Sequence, residues 1–585
     1  MATPSLLAAC VPSTFSSALS VFGATVLSID AVAVTNFSSV APGDFRFTQP
    51  GTQLINGSFC NVTVAYKHPG QSDRVTVETW LPAPEDAWNG RLQAVGGGGW
   101  IAGRFVLSYA AMVGAVADGY ATVTTDAGLN ADDDPDPWAL VSPGNVNLYA
   151  LQNFGSVSLG DEVCPSLSYP SLSLFLSFPV CSLWRIIPPT LSSHICGQAI
   201  IAKALIVRFY GRPPAYSYWN GCSQGGRAGL MLAQRYPGAY DGIAAGSPAV
   251  YWAESFPSGL WAQHYMNAVL GGVYPRGCEI DAITAAAIKA CDGLDGVVDG
   301  IVAEVDACLA SFNPFRLVGT VVANCSSDKV GSGHGHTVVI SKAAAAVVNA
   351  TWHGPVSPDG TKQRWYGYSL GSDLTGGGTD TRTTGGQLGP AATNCTSGTC
   401  VGVVNGPWLE DMRLFLARGD PKFKFDKLTR AEFDSLIHSG VQRLSSLLST
   451  GDADLSEFRD AGGKLVTFHG LWDTSLPPKG TAQYYNAVAA AVPDAHTFYR
   501  HYEVPGLGHC FGGPSGQPSG LFAQLRAWVE NGTAPESTPV NVTKLDGAVE
   551  GRILCPYPQK AKPNGGADLS RNKTAAGSKG RWICV

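Results

Sequence analysis

At 585 residues with 45% hydrophobic content, the chain is well beyond the size at which a domain needs help to bury a core, and its length argues for more than one structural unit. Charged residues are only 14% of the total and the formal net charge is -6, with no Lys/Arg-rich run. That excludes the basic footprint of a nucleic-acid binder and favours a neutral ligand, while the lack of roughly 20 uninterrupted apolar residues speaks against a membrane anchor.

In chain order, the stretch 1–9 is apolar but lacks a positively charged n-region and is too short for a complete signal peptide. Fifteen cysteines spread along the chain nevertheless point to the secretory pathway and an extracellular glycoprotein, as do N-glycosylation sequons at Asn36, Asn56, Asn61, Asn324, Asn349, Asn394, Asn531, Asn541 and Asn572. The signal peptide is then incomplete as the chain is written. Between 61 and 126 the runs NVTVAYKH, RVTVETWLP, RLQAV and YATVTTD read as successive strands, each closed by Gly, Pro or Asp. The segment 163–192, VCPSLSYPSLSLFLSFPVCSLWRIIPPTLS, has almost no charge and no steady period. Its opening Val-Cys-Pro can be encoded as GTA TGT CCN, an intron-like start, and pyrimidine-rich DNA translates to Ser, Leu, Phe and Pro. The segment therefore reads as a retained intron, which would make Cys164 and Cys181 artefacts. An Ala/Ile-rich helix leading to Tyr210, a strand over 215–220 and a helix over about 227–234 follow, and this alternation predicts a parallel α/β sheet. From 249 to 440 the texture changes to long Gly/Asp/Thr-rich loops with aromatic clusters, before strand-like KLVTFHG resumes at 464–470. The expected organisation is one discontinuous domain, 1–248 with 441–585, carrying an inserted lid domain, 249–440.

The strand at 215–220 runs into Gly221-Cys222-Ser223-Gln224-Gly225 and then a helix. This is G-x-S-x-G in the strand-turn-helix setting of a nucleophile elbow, where flanking glycines let the backbone pack through a strained turn that presents the hydroxyl. A serine hydroxyl needs a general base, usually His held by a carboxylate, and in such folds the acid and then the base follow the serine. Asp473 stands just past a strand, and only His496, His501 and His509 follow it. Cys510 adjoins His509 as Cys222 adjoins Ser223, so a Cys222–Cys510 disulfide would pin nucleophile and base together. Oxyanion donors are expected from the Gln224 amide and from the glycines 96–99, most directly Gly98. A plain glycine-rich turn, a surface histidine and a turn-forming aspartate are the bland readings of the same residues.

The stretches YWNGCSQGGR, FHGLWD, PGLGHCFGG, GYATVTTDAG, EIDAITAAAIKACDGLDGVVDG and FRDAGGKLVTFHG resemble the fungal tannase and feruloyl esterase family over nearly the whole chain. The resemblance implies an α/β-hydrolase fold with a large lid, and a secreted serine esterase acting on aromatic-acid esters, in plant cell-wall polysaccharide or in tannin. Asp292, Asp295 and Asp299 stand among glycines and on residue types alone suit either a hard cation or Asp-Gly turns. The family's structural calcium implies these three as side-chain ligands, with the carbonyls of Val297 and Ile301. Cys291 with Cys308 is the expected staple beside that loop. Cys10 with Cys60, Cys278 with Cys325 and Cys555 with Cys584 occupy family-like positions, and Cys395 with Cys400 is put forward as a further pair, which leaves Cys196 over. The expected chemistry is acylation of Ser223 and deacylation by water, with His509 moving the proton and Asp473 orienting it. The aromatic runs Tyr251-Trp252 and 256–261 offer a wall for an aromatic acyl group or, equally, lid core. Both feruloyl and galloyl specificity remain open, with a lean to the former. The rivals are a non-catalytic, calcium-stabilised secreted binding protein on the same fold and another secreted α/β-hydrolase such as a serine carboxypeptidase.

Overall fold

The computed structural model describes the chain except residues 1–5, 17–18, 20–22, 84–86, 130, 132–133, 164–200, 326–335, 378–387, 397, 421 and 565–580. The suspected intron beyond Val163, together with Cys164, Cys181, Cys196 and Asn572, lies outside the described residues.

One nine-stranded sheet organises the molecule. Its strands are β1 (Thr25–Ala41), β2 (Thr52–Lys67), β3 (Val75–Pro82), β4 (Arg91–Val95), β5 (Ala121–Thr125), β6 (Tyr216–Cys222), β7 (Gly242–Gly246), β8 (Lys464–Gly470) and β9 (Tyr499–Val504), in the order β1-β2-β3-β5-β4-β6-β7-β8-β9. The first three strands and β5 pair antiparallel, and the six from β5 to β9 pair parallel. Each of the strand-like runs read from the sequence is a strand of this sheet, whereas β1 precedes the point where that reading began. Strand side chains alternate between two covered faces. Trp219, Ile243 and Leu465 enter one core with Leu230 and Met231, while Tyr218, Ala244 and Val466 enter another with Phe522 and Leu525.

Helices α1 (Val106–Ala117), α2 (Ala202–Tyr210), α3 (Gln224–Arg235), α4 (Trp252–Gly259), α5 (Arg430–Leu448), α6 (Lys479–Ala491) and α7 (Leu521–Asn531) matter most for the site. The elbow helix α3 packs on β6 and β7, and α7 covers β7 and β8 from the other core. A further core joins residues 249–448, among them Trp261, Ile283, Val348, Phe415 and Phe433, to Trp100, Trp138, Phe154 and Leu476.

Two expectations about this insertion change. The boundary at 440 falls inside α5, which a Thr429–Glu432 capping box starts and which ends at Leu448. Beyond α5, Thr450 N–H donates to Val250 O at 2.7 Å, which brings the chain at the end of that helix against the start of the insertion. The aromatic wall also moves: Trp252, Phe256 and Trp261 are only 1%, 7% and 4% exposed. Trp252 stacks on Phe256 and meets Trp100 edge-on, so these rings build lid core and not an open pocket lining.

Among the described residues six disulfides close the fold: Cys10–Cys60, Cys222–Cys510, Cys278–Cys325, Cys291–Cys308, Cys395–Cys400 and Cys555–Cys584. Among the described residues no helix is long and apolar enough to cross a membrane.

Candidate active site

Strand β6 ends at Cys222 and α3 begins at Gln224, leaving Ser223 alone in the turn with φ 60° and ψ -120°. A non-glycine residue there costs on the order of 1–3 kcal/mol, so the surroundings must enforce it. They do so by hydrogen bonds on both sides of the residue. Ser223 N–H donates to Gly246 O at 2.9 Å, and Ser223 O accepts from Arg227 N at 2.9 Å and Ala249 N at 3.3 Å. The glycines of the motif are required by close approach: a Cβ on Gly221 would stand 2.6 Å from Gly225 O, and one on Gly96 2.6 Å from Gly225 Cα. The 96–99 loop thus lies directly on the elbow, where Gly225 N–H donates to Gly97 O at 3.1 Å.

Gln224 occupies the first position of α3, where a backbone N–H has no intrahelical acceptor and the helix dipole is positive. Its side-chain Oε1 accepts from Arg227 Nε at 2.6 Å. Buried Arg227 spends its other donors on the carbonyls of Phe154, Gly155 and Leu448, tying the elbow helix to the 153–157 turn and to the end of α5. Gly98 does not serve as expected. Its N–H donates to Ile101 O at 3.1 Å within a tight two-way bridge, so this amide is already committed.

The carboxylate of Asp473 sits in the turn after β8 and is 0% exposed. Oδ1 accepts from the amides of Ser475 at 2.7 Å and Leu476 at 2.8 Å, and Oδ2 accepts from His509 Nδ1 at 2.7 Å and His469 Nε2 at 3.0 Å. Burial works to raise the Asp473 pKa. The His509 charge and the hydrogen bonds from His469 and His509 outweigh it and hold the carboxyl well below the usual carboxylate range. Because the carboxylate only accepts, His509 carries its proton on Nδ1, which leaves Nε2 as the base. His509 is 12% exposed and Ser223 is half-buried, so both are open to a ligand.

Cys222 and Cys510 are joined with their Cα atoms 6.0 Å apart, and each adjoins one of these two residues in sequence. Gln517 Nε2 also holds Cys510 O at 2.8 Å. Of the other candidate bases, His496 is exposed on a short helical turn. His501 is buried against Thr467 Oγ1 at 2.9 Å, and burial pushes its pKa down to about 3. Neither meets Asp473. Sequence reasoning missed His469 and Arg227, although the four-residue spacing of His469 and Asp473 in FHGLWD was a usable signal.

The family model for tannase and feruloyl esterase matches residues 193–575, starting directly after the suspected intron. The chain belongs to the tannase and feruloyl esterase family. It is 34% identical over 528 residues to a probable feruloyl esterase of Arthroderma benhamiae, covering 89% of this chain and 85% of that one. It is 27% identical over 554 residues to a tannase of Aspergillus oryzae, covering 86% and 83%. Among solved structures, tannin acyl hydrolase from Aspergillus niger superposes with a TM-score of 0.78 at 26% identity, covering 100% of this chain and 96% of that chain.

In this member of the family the Asp292 loop is held largely by its own backbone. Asp292 Oδ1 accepts from the amides of Asp299, Gly300 and Ile301 at 2.9, 2.9 and 3.2 Å, and Asp295 Oδ1 accepts from Val297 N at 2.9 Å. Asp299 pairs with Arg552 Nη2 from the C-terminal hairpin. Burial raises the carboxyls of Asp295 and Asp299, the latter to about 6, against the pull of Arg552. Among the described residues no three His, Cys, Asp or Glu side chains are arranged as metal ligands.

Proposed function

We propose that the protein is a secreted serine esterase that hydrolyses esters of aromatic acids. One observation carries this reading: a disulfide ties the strained Ser223 elbow to His509, which is itself hydrogen-bonded to the buried Asp473 carboxylate.

Ser223 Oγ attacks the ester carbonyl as its proton passes to His509 Nε2. The Asp473 carboxylate stabilises the resulting imidazolium and fixes its orientation, remaining ionised throughout. Charge on the carbonyl oxygen meets the Gln224 N–H at the positive end of α3, and the second donor is assigned to the 96–99 loop at an amide other than Gly98. His509 returns the proton to the leaving alcohol or sugar. Water then gives a proton to Nε2 as its oxygen bonds the acyl carbon; the bond from that carbon to Ser223 Oγ breaks, Oγ takes the proton back from His509, and the aromatic acid leaves.

The acyl group is assigned as hydroxycinnamic, in line with the 34% identical feruloyl esterase relative. A galloyl group is the second reading, favoured by the superposition on tannin acyl hydrolase. Secretion is supported by the six disulfides and by the exposed sequon asparagines Asn36, Asn56, Asn394, Asn531 and Asn541. Asn61 is a poorer glycan acceptor, since its Nδ2 donates to Glu78 at 3.0 Å. Calcium is proposed as a structural ion. Asp292, Asp295 and Asp299 with the carbonyls of Val297 and Ile301 would offer it oxygen donors of the kind a hard cation takes, on one short loop. When bound, the ion would neutralise these carboxylates and brace the loop.

Hydrolysis of methyl ferulate and methyl gallate is to be measured side by side, with Ser223→Ala as control. Turnover of either ester that vanishes in the control supports the reading, and the preferred ester assigns the acyl group. A folded protein inert to both contradicts it.

A further inference from the structure

We propose that His469 is a positioning residue for the acid–base pair, holding the Asp473 carboxylate in place and moderating its pull on His509. The inference rests on the Ser223 esterase reading given above.

His469 is the penultimate residue of β8 and is 1% exposed, four residues before Asp473. Its Nε2 lies 3.0 Å from Asp473 Oδ2 and 3.2 Å from Leu476 O. Both partners only accept, so Nε2 carries a proton. Its Nδ1 lies 2.7 Å from Thr481 Oγ1 on α6, whose hydroxyl is free to rotate and donate. With the Nε2 proton fixed by these two acceptors, a hydrogen bond donated by Thr481 to Nδ1 satisfies the second nitrogen and steadies the ring.

The oxygen that His469 reaches is the one His509 reaches. Asp473 Oδ2 accepts from two imidazoles, while Oδ1 is filled by the Ser475 and Leu476 amides. Four donors leave the carboxylate no freedom to rotate. They also divide the charge of Oδ2: what His469 draws off is not available to stabilise a proton on His509. A triad acid held only by its base and by backbone amides would pull harder on the base and sit more loosely.

The charged and titratable groups facing this pair are few. From β9 comes His501, turned to Thr467 and pushed down to about 3 by burial. From the lid comes Tyr368, whose hydroxyl donates to Ser475 O at 3.3 Å and whose pKa burial raises well above the usual range. Neither changes charge in the mid-pH range, so a shift in the activity profile on altering His469 reports on Asp473 and His509.

The test compares His469→Ala, His469→Gln and Ser223→Ala with the wild type on the better of the two methyl esters, recording kcat, KM and the acid limb of kcat against pH. A glutamine Nε2 reaches the position of the imidazole Nε2 and restores the donor without the Thr481 tie. The Ala variant is expected to lose about 10- to 100-fold in kcat with KM within about twofold, as for a small misplacement of a catalytic group. Its acid limb is expected to move up by about half a pH unit, because the unshared carboxylate binds the His509 proton more tightly. The Gln variant should recover to within about fivefold of wild type, since the donor returns. An Ala variant within about twofold of wild type in kcat overturns the proposal, as does a Gln variant no better than Ala with the acid limb unmoved. Should His469→Ala fail to fold, Thr481→Val decides: a severalfold loss of kcat supports the proposal and an unchanged kcat overturns it. Turnover that survives in Ser223→Ala refutes the esterase reading itself, a result distinct from a dead Ser223→Ala beside an unimpaired His469→Ala.

Discussion

Replacing Asp473 by asparagine changes almost no volume but sets an amide into a site built for a carboxylate. Oδ1 faces two backbone N–H groups and Oδ2 faces two imidazole N–H groups, at 2.7–3.0 Å. Whichever way the Asn amide turns, its NH2 opposes two donors. Each buried donor left unpaired costs about 1–3 kcal/mol, so the variant is expected to lose about 2–6 kcal/mol of stability. His509 relieves part of this by moving its proton to Nε2, which removes the base. The expected fall in kcat is about 10^4-fold, as for a triad whose acid no longer selects the tautomer. Urea unfolding measures the first quantity and saturating hydrolysis of the preferred methyl ester the second. An Asn variant that keeps more than about a tenth of kcat would refute the assignment of Asp473.

Removing the elbow disulfide as Cys222→Ala/Cys510→Ala opens a link across 288 residues and is expected to cost about 2–5 kcal/mol in urea unfolding. It should lower kcat more than it raises KM, and a kcat within about twofold of wild type would show that packing alone aligns Ser223 and His509. Chelation should lower the melting temperature and added calcium restore it, with Asp292→Asn abolishing the response; a melting curve indifferent to both would leave Arg552 as the counter-charge of that loop. His68 is buried between Asp161 at 2.9 Å and Asp73, and these partners lift it from 6.5 to about 9, the Asp161 hydrogen bond contributing most and burial opposing. A raised folded-state pKa means the stabilisation is complete below about pH 6.5 and is lost as pH rises through about 9. Unfolding free energies of wild type and His68→Gln should therefore converge between pH 7 and about 9.5, and a constant gap would contradict the linkage.

The parallel strands were legible because burial on both faces leaves short apolar runs between Gly, Pro and Asp breaks, as in RLQAV and KLVTFHG. The elbow was legible because the first turn of α3 comes so close that only glycine fits at Gly221, and Gly96 in the facing loop is crowded by the same Gly225. What failed depends on pairings that no local pattern in the sequence marks. The pairing of Val250 with Thr450, by which the chain after α5 returns, is marked by nothing in the amphipathic run of that helix. Trp252 and Trp261 read equally as pocket or core until Trp100 and Phe433 are placed against them. Gly98 was misjudged because its amide turns to Ile101, three residues on, a pairing that a glycine run does not encode. His469 went unread for the same reason, since its spacing from Asp473 gains meaning only when the chain after β8 folds back on the strand end.

The most direct test of the central claim is to treat the protein with an organophosphate ester that phosphorylates activated serines and to map the adduct by peptide mass. The account predicts one adduct, on Ser223, formed in step with loss of ester hydrolysis and absent from Ser223→Ala and from Asp473→Asn. Full inactivation with the label elsewhere, or full labelling of Ser223 with activity intact, would contradict it.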